Sequence, residues 1–160
     1  MMILFGFKGA GKTYYGKLVA DALDWEFLDT DDLLEALYEE RHGEYMTCKT
    51  IFQNRGEPYF RLLEKEVIST LQKAPCTVVA VGGGTVLDPE NRHLLMQLGM
   101  LVYLRTSRGV LEERMEKNPP GYALAAVYEE RKAIYESIPA VTIDEGKDTL
   151  KRLKEIACGK

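Results

Sequence analysis

The chain has 160 residues, of which 46% are apolar and 29% charged, and its net charge is −4. This length suits one α/β domain, residues 1–160, and leaves little room for a second. No segment gathers enough lysine and arginine for a nucleic-acid track, and no apolar run approaches the length of a membrane span, so we expect neither kind of partner.

Short apolar runs alternate with helical periodicity along the chain. The runs predict five strands, at residues 2–6, 26–29, 77–82, 100–105 and 140–144. The segments between them predict seven helices, at residues 11–23, 32–41, 57–72, 89–98, 107–116, 123–137 and 147–157. Asp88 before Pro89 marks one helix start, and Gly99 marks its end. Strands that alternate with helices indicate a parallel, doubly wound α/β sheet with helices on both faces.

A glycine-rich turn joins the first strand to the first helix. Residues 6–13 read Gly-Phe-Lys-Gly-Ala-Gly-Lys-Thr and match G-x-x-x-x-G-K-[ST] at every fixed position. Glycines allow positive φ angles, so the loop can wrap around an anion with its N–H groups pointing at a phosphate. Lys12 is expected to reach the β- and γ-phosphates and Thr13 to ligate Mg²⁺. The alternative is a plain turn with a surface lysine, and the strand and helix on either side favour a nucleoside triphosphate site.

Residues 29–32, Asp-Thr-Asp-Asp, follow the second strand. Ligands of such sheets bind at the carboxyl ends of the strands, which places these carboxylates beside the loop. Asp29 and Asp31 are candidates for holding Mg²⁺ through its waters or for accepting a proton from a substrate hydroxyl. Alternatively, Asp31 or Asp32 only caps the next helix, and Asp32 is the better candidate for a simple cap.

Three glycines, Gly82, Gly83 and Gly84, follow the apolar third strand. At a strand end they offer backbone N–H groups and allow a ligand to approach the main chain. A glycine run is often only a loose turn, but the position of this one next to the phosphate loop favours a role in binding.

Residues 51–64 combine aromatic, acidic and basic side chains. Arg61 and Glu64 lie three residues apart on one face of a predicted helix. A guanidinium oriented by a carboxylate makes a good fork for a substrate carboxylate. A weak ion pair on the surface is the alternative, and the spacing alone favours it.

Together these motifs resemble the shikimate kinase family. The resemblance rests on the order and spacing of the phosphate loop, Phe27, Asp29, Asp31, Phe52, Gly56, Glu57, Phe60, Arg61, Glu64, residues 82–84, Arg131 and Tyr135. It extends over about residues 1–105 and 128–145, most of the chain. It implies ATP- and Mg²⁺-dependent phosphorylation of the 3-hydroxyl of shikimate, a step in the biosynthesis of chorismate and the aromatic amino acids.

The resemblance also implies a fold and a role for each matching residue. The fold is a three-layer P-loop kinase with strand order 2-3-1-4-5, a substrate-binding segment at about 30–64 and a lid at about 112–124. The implied nucleotide-binding residues are Gly9, Ala10, Gly11, Lys12, Thr13, Tyr14 and Arg114, the last against adenine. The implied metal-binding residues are Thr13 and Asp29, the latter through water. The implied substrate-binding residues are Asp31, Arg61, Gly82, Gly83, Gly84 and Arg131, with Glu64 orienting Arg61. Lys12 and Asp31 are the implied catalytic residues.

The lid departs from the family pattern because it is shorter and lacks the arginine that reaches the transferring phosphates. Loss of one such cation costs about 10²–10³ in kcat, unless Lys117 or another group replaces it. Tyr14 and Ala80 also stand where hydroxyl side chains are common in the family. We therefore expect an active enzyme with a modified lid. The alternatives are a related kinase acting on gluconate or a nucleotide, and a nucleotide-binding protein without turnover.

The three cysteines indicate the cellular compartment in which the protein works. Cys48, Cys76 and Cys158 are odd in number and widely spaced, which is typical of free thiols and not of a zinc site or a disulfide framework. The first predicted strand begins at Met2, so we expect no targeting segment. We accordingly expect a cytoplasmic protein, and a monomer.

Overall fold

A computed structural model describes residues 1–117 and 123–159. Within these ranges the strands are β1 (Met2–Phe5), β2 (Glu26–Asp29), β3 (Thr77–Ala80), β4 (Met100–Arg105) and β5 (Val141–Asp144). The helices are α1 (Lys12–Leu23), α2 (Thr30–His42), α3 (Cys48–Arg55), α4 (Glu57–Thr70), α5 (Pro89–Leu98), α6 (Arg108–Lys117), α7 (Leu124–Ser137) and α8 (Thr149–Ala157).

The five strands form one parallel sheet in the order β2-β3-β1-β4-β5. This is the order that the family resemblance implied. All four residues of β1 and of β3 are buried, as expected for central strands covered by helices on both faces. Because every strand runs in the same direction, the loops that follow β1, β2 and β3 emerge at one edge of the sheet.

A second, smaller apolar cluster lies outside the sheet. Leu34 and Tyr38 of α2, Ile51 of α3, and Leu63 and Val67 of α4 are buried against one another. This cluster holds together the helices of the predicted substrate-binding segment. The segment is therefore a packed unit beside the sheet and not a loose connection.

The structure corrects three local predictions. Helix α3 was not predicted, although Thr47 caps it by accepting a hydrogen bond from the N–H of Thr50. A short 3₁₀ helix, Thr85–Leu87, follows the glycine run and was also not predicted. The prediction of Asp32 as a cap was wrong, because α2 begins at Thr30 and its N-cap is Asp29.

The signals around α5 are confirmed. Asp88 accepts hydrogen bonds from the N–H groups of Glu90 and Asn91, and the helix ends at Gly99. The predicted lid at 112–124 falls partly on residues 118–122, which lie outside the described residues. Across the parts of the chain that are described, no helix combines the length and the apolar character that crossing a membrane requires.

Candidate active site

Two adjoining cavities open at the carboxyl edge of the sheet. The larger, of about 550 Å³, is lined by the phosphate loop and the start of α1. The smaller, of about 250 Å³, is lined largely by α3, α4 and the glycine run. Four residues line both cavities: Lys8, Asp31, Gly82 and Gly83. The loops that sequence analysis singled out therefore converge, and they form one site with two compartments.

The phosphate loop is held open by its glycines. Gly6, Gly9 and Gly11 have φ angles of 145°, 83° and 88°, a region that favours glycine. Gly11 is the N-cap of α1 and offers no side chain, so the N–H groups of the first turn are available to an anion. The ammonium of Lys12 donates to the carbonyl oxygens of Gly6 and Phe7, at 3.0 and 2.9 Å. The loop thus presents donors and positive charge to the larger cavity.

The protein environment makes the charge on Lys12 costly in the absence of a ligand. Burial lowers the pKa of this ammonium to about 8, although Asp31 and Asp29 act in the opposite direction. The neighbouring Lys8 lowers the pKa further. A phosphate bound in the loop would supply the missing negative charge.

Thr13 and Asp29 meet at the mouth of the larger cavity. The Thr13 hydroxyl donates to Asp29 Oδ2 at 2.7 Å, and Asp29 Oδ1 accepts from the N–H of Asp31 at 3.0 Å. Within residues 1–117 and 123–159, no three His, Cys, Asp or Glu side chains are grouped to hold a metal. A hard cation at this place would therefore be coordinated by few protein oxygens and would keep much of its water, as Mg²⁺ usually does.

Asp31 lies where the two cavities join. Its carboxylate is open to the cavities but is surrounded by protein, and this burial is the main cause that raises its pKa to about 6. Repulsion from Asp29 adds to the shift, and attraction by Lys12 opposes it. Asp31 is consequently a stronger base than an ordinary aspartate and remains mostly ionised at neutral pH.

Gly82 leaves room for a cluster of polar groups. A Cβ there would lie 3.0 Å from the Thr85 hydroxyl, 3.1 Å from Asp31 Oδ1 and 3.2 Å from Glu64 Oε1. Its N–H already donates to the Thr30 hydroxyl at 3.2 Å. Gly82 therefore contributes space to the site, and its N–H is engaged within the protein.

Arg61 is fixed by two carboxylates. Its Nη1 donates to Glu64 Oε2 at 2.9 Å and its Nη2 to Glu57 Oε1 at 3.3 Å. The Glu64 side chain is only 5% exposed, and its second oxygen accepts from the Thr85 hydroxyl at 2.7 Å. Arg61 and Glu64 thus form a half-buried ion pair that Thr85 helps to orient through Glu64. The spacing alone had favoured a weak ion pair on the surface.

The smaller cavity contains further cations and apolar groups. Arg131 of α7 also lines it, together with Lys49, Cys48 and Phe60. Lys49 was not predicted as a site residue, because a lysine on a helix belongs to no motif of its own. The cavity therefore combines several positive groups with an apolar wall, which suits a small carboxylated molecule.

Arg114 also lines the larger cavity. Its Nη1 donates to the carbonyl oxygen of Gly9 at 2.8 Å and its Nη2 to Glu145 Oε1 at 3.1 Å. Tyr15 donates to the same Glu145 oxygen at 3.0 Å. Tyr14 is 64% exposed at the cavity rim. The contact of Arg114 with adenine stays a prediction.

The comparisons agree with this arrangement. A family model described as shikimate kinase matches residues 8–157. A shikimate kinase of Alkaliphilus oremlandii is 32% identical over 169 residues, with 98% of this chain and 96% of the relative covered. The shikimate kinase of Acinetobacter baumannii in complex with shikimate superposes with a TM-score of 0.83 at 29% identity, covering 99% of this chain and 92% of that one. The shikimate kinase of Aquifex aeolicus gives a TM-score of 0.78 at 28% identity, covering 99% of this chain and 97% of that one.

Proposed function

We infer that this chain acts as a shikimate kinase, since it belongs to the shikimate kinase family. One observation supports the assignment most strongly. Asp31 stands at the junction of a cavity that contains a phosphate loop and a cavity that contains Arg61 and Arg131. A base between a triphosphate site and a carboxylate site is the arrangement that phosphorylation of a hydroxy acid requires.

ATP occupies the larger cavity in this proposal. The phosphates lie against the loop and the N-terminus of α1, and Lys12 binds the β- and γ-phosphates. The nucleotide-binding residues are Gly9, Ala10, Gly11, Lys12, Thr13, Tyr14 and Arg114. Thr13 and Asp29 would hold Mg²⁺, Asp29 through water. When bound, Mg²⁺ neutralises phosphate charge and helps to orient the leaving group.

Shikimate occupies the smaller cavity. Arg61 and Arg131 bind its carboxylate, and Glu64 holds Arg61 in position. Gly83 and Gly84 offer their N–H groups, and Gly82 gives the hydroxylated ring room to approach. The Asp31 carboxylate then faces the 3-hydroxyl.

The reaction is an in-line transfer between the two cavities. The 3-hydroxyl oxygen forms a bond to the γ-phosphorus, and the bond from that phosphorus to the bridging oxygen of ADP breaks. Asp31 accepts the hydroxyl proton. Its pKa of about 6 keeps the carboxylate ionised at neutral pH while making it a better proton acceptor than a solvent-exposed aspartate. Positioning and charge neutralisation supply most of the rate in such transfers.

A coupled assay of ADP release with ATP, Mg²⁺ and a panel of acceptors tests the proposal. We expect release that depends on shikimate, and none above background with gluconate or nucleoside monophosphates. Binding of ATP without any shikimate-dependent release would contradict the proposal and favour a nucleotide-binding protein. We further propose a cytoplasmic monomer, for which light scattering of the purified chain and cell fractionation are the tests.

A further inference from the structure

Lys8 is a cation at the junction of the two cavities. It occupies a variable position of the phosphate-loop motif, so the motif assigns it no role. It is half-buried and lines both cavities, together with Asp31, Gly82 and Gly83. Its ammonium makes no hydrogen bond or ion pair with any residue in the ranges 1–117 and 123–159. A charged group held in a cleft without an internal partner is available to a ligand.

The backbone around Lys8 is firmly placed. A Cβ on Gly83 would lie 3.1 Å from the backbone nitrogen of Lys8, so the glycine run packs directly on the phosphate loop. The carbonyl oxygen of Gly83 in turn accepts a hydrogen bond from the Tyr135 hydroxyl of α7. Lys8 is thus anchored at the point where the loop touches the substrate side of the site.

Lys8 and Lys12 form a pair of neighbouring cations. The charge of Lys8 is one of the causes that lower the pKa of Lys12. Lys12 donates to two carbonyl oxygens inside the loop, whereas Lys8 points toward the junction. Two lysines that line the same cavity suit a bound group with several negative oxygens.

Two of the other cations that line the cavities already have partners within the protein. Arg114 is bound by Gly9 and Glu145, and Arg61 by its two carboxylates. Between Arg114 and Arg131 the sequence contains a single Lys or Arg, which is Lys117. The lid sequence therefore offers few cations to the phosphoryl group during its transfer.

We propose that Lys8 is a catalytic residue whose ammonium binds the γ-phosphoryl oxygens from the shikimate side while the group passes between the cavities. This role rests on the proposed kinase function. Charge accumulates on the equatorial oxygens during transfer, and a preorganised cation stabilises that charge. Lys8 supplies from the loop a further positive charge, beside the few that residues 112–124 contain.

Three variants test the role. Lys8→Met removes the charge and keeps a long unbranched side chain, and Lys8→Arg keeps the charge. Lys73→Met is the matched control, because Lys73 is exposed in the segment that leads into β3, at the opposite edge of the sheet. Calorimetry measures the affinity of each for ADP–Mg²⁺ and for the β,γ-methylene analogue of ATP, and a coupled assay measures kcat and KM for shikimate.

For Lys8→Met we expect kcat to fall by about 10²–10³, the usual effect of removing one donor to a developing charge. We expect the affinity for the ATP analogue to fall about tenfold while ADP affinity changes less than about twofold, since ADP has no γ-phosphoryl group to lose the contact. Lys8→Arg should restore at least about a tenth of the wild-type kcat, and Lys73→Met should match the wild type.

Two outcomes overturn the role. One is a kcat of Lys8→Met within threefold of wild type, and the other is an unchanged ratio of analogue to ADP affinity. If the wild-type chain shows no turnover with shikimate, the proposed function fails, and the affinity ratio alone still decides whether Lys8 contacts the γ-phosphoryl group. If Lys8→Met does not fold, Lys8→Gln takes its place under the same criteria.

Discussion

Replacing Gly84 with alanine should damage shikimate binding while leaving the fold intact. A Cβ on Gly84 would lie 2.4 Å from Nη2 and 2.5 Å from Nη1 of Arg61. Normal contact distances are about 3.5 Å, so the guanidinium must retreat by about 1 Å. The backbone at Gly84 has φ −92° and ψ −12°, which alanine adopts without strain. The displaced group is the end of a side chain that is 28% exposed, so it can move toward solvent, and the fold is kept although the contact with Glu64 is weakened.

The cost to binding follows from the hydrogen bonds that Arg61 would no longer make to the shikimate carboxylate. A hydrogen bond to a charged group contributes about 1.5–3 kcal/mol, which corresponds to about 10- to 100-fold in Kd. We therefore expect the Kd of shikimate to rise by about 10- to 100-fold. The affinity for ADP–Mg²⁺ should change less than about twofold, since Gly84 does not line the nucleotide cavity.

Calorimetric titration of each ligand into the Gly84→Ala variant measures both quantities. Gly109→Ala is the matched control, because a Cβ at Gly109 has no neighbour within 4 Å. A shikimate Kd within threefold of wild type would refute the assignment of Arg61 to the substrate carboxylate. An equal loss of affinity for ADP would instead indicate a general disturbance of the site.

Three other changes test separate parts of the site. Asp31→Asn should lower kcat by at least about 10², and in the wild type kcat/KM should fall as pH drops below about 6, because protonation of Asp31 removes the base. Lys12 has a folded-state pKa of about 8, below its ordinary value of 10.5, so the free energy of unfolding of the ligand-free chain should rise from pH 8 to 10. Denaturant titrations should show a smaller rise in Lys12→Met. Glu64→Gln keeps an acceptor for Thr85 but removes the charge beside Arg61, so the KM for shikimate should rise about tenfold with a melting temperature within a few degrees of wild type. A shikimate KM equal to wild type in that variant would contradict the orienting role of Glu64.

Local patterns predicted most of the secondary structure. The apolar runs at residues 2–6 and 77–82 contain strands that are buried along their whole length, which is why they read as continuous hydrophobic segments. Local patterns do not predict the order of the strands in the sheet, because that order depends on where each connection crosses and not on the residues within a strand. That order came from the family resemblance, and the structure agrees with it.

The helix that was missed shows the limit of periodicity. Helix α3 has eight residues and buries only Ile51 fully, so it presents no repeating apolar face. Its signal was Thr47 before it and Gly56 after it, a cap and a stop that define a short helix. The error at Asp32 has a similar origin. The strand before α2 ends in Asp29, and an extended final residue with a short acidic side chain can itself cap the next helix.

The candidate site was predictable where it lies at strand ends and not where it depends on tertiary packing. Rules for parallel sheets placed Asp31 and the glycine run beside the loop. They gave no sign that Glu64 bonds to Thr85, 21 residues away, or that Glu145 bonds to Tyr15, 130 residues away. The position of Lys8 at the junction of two cavities likewise appears only once the loops are folded together.

The proposed reaction is phosphoryl transfer between the two cavities and onto shikimate. Phosphorus NMR of a mixture of the purified chain, ATP, Mg²⁺ and shikimate tests it most directly, because the signals of ADP and of a phosphate monoester appear separately from inorganic phosphate. We expect one phosphate monoester of shikimate for each ADP formed, and no such product with Asp31→Asn over the same time. Formation of inorganic phosphate alone, or no consumption of ATP while both ligands bind, would contradict it.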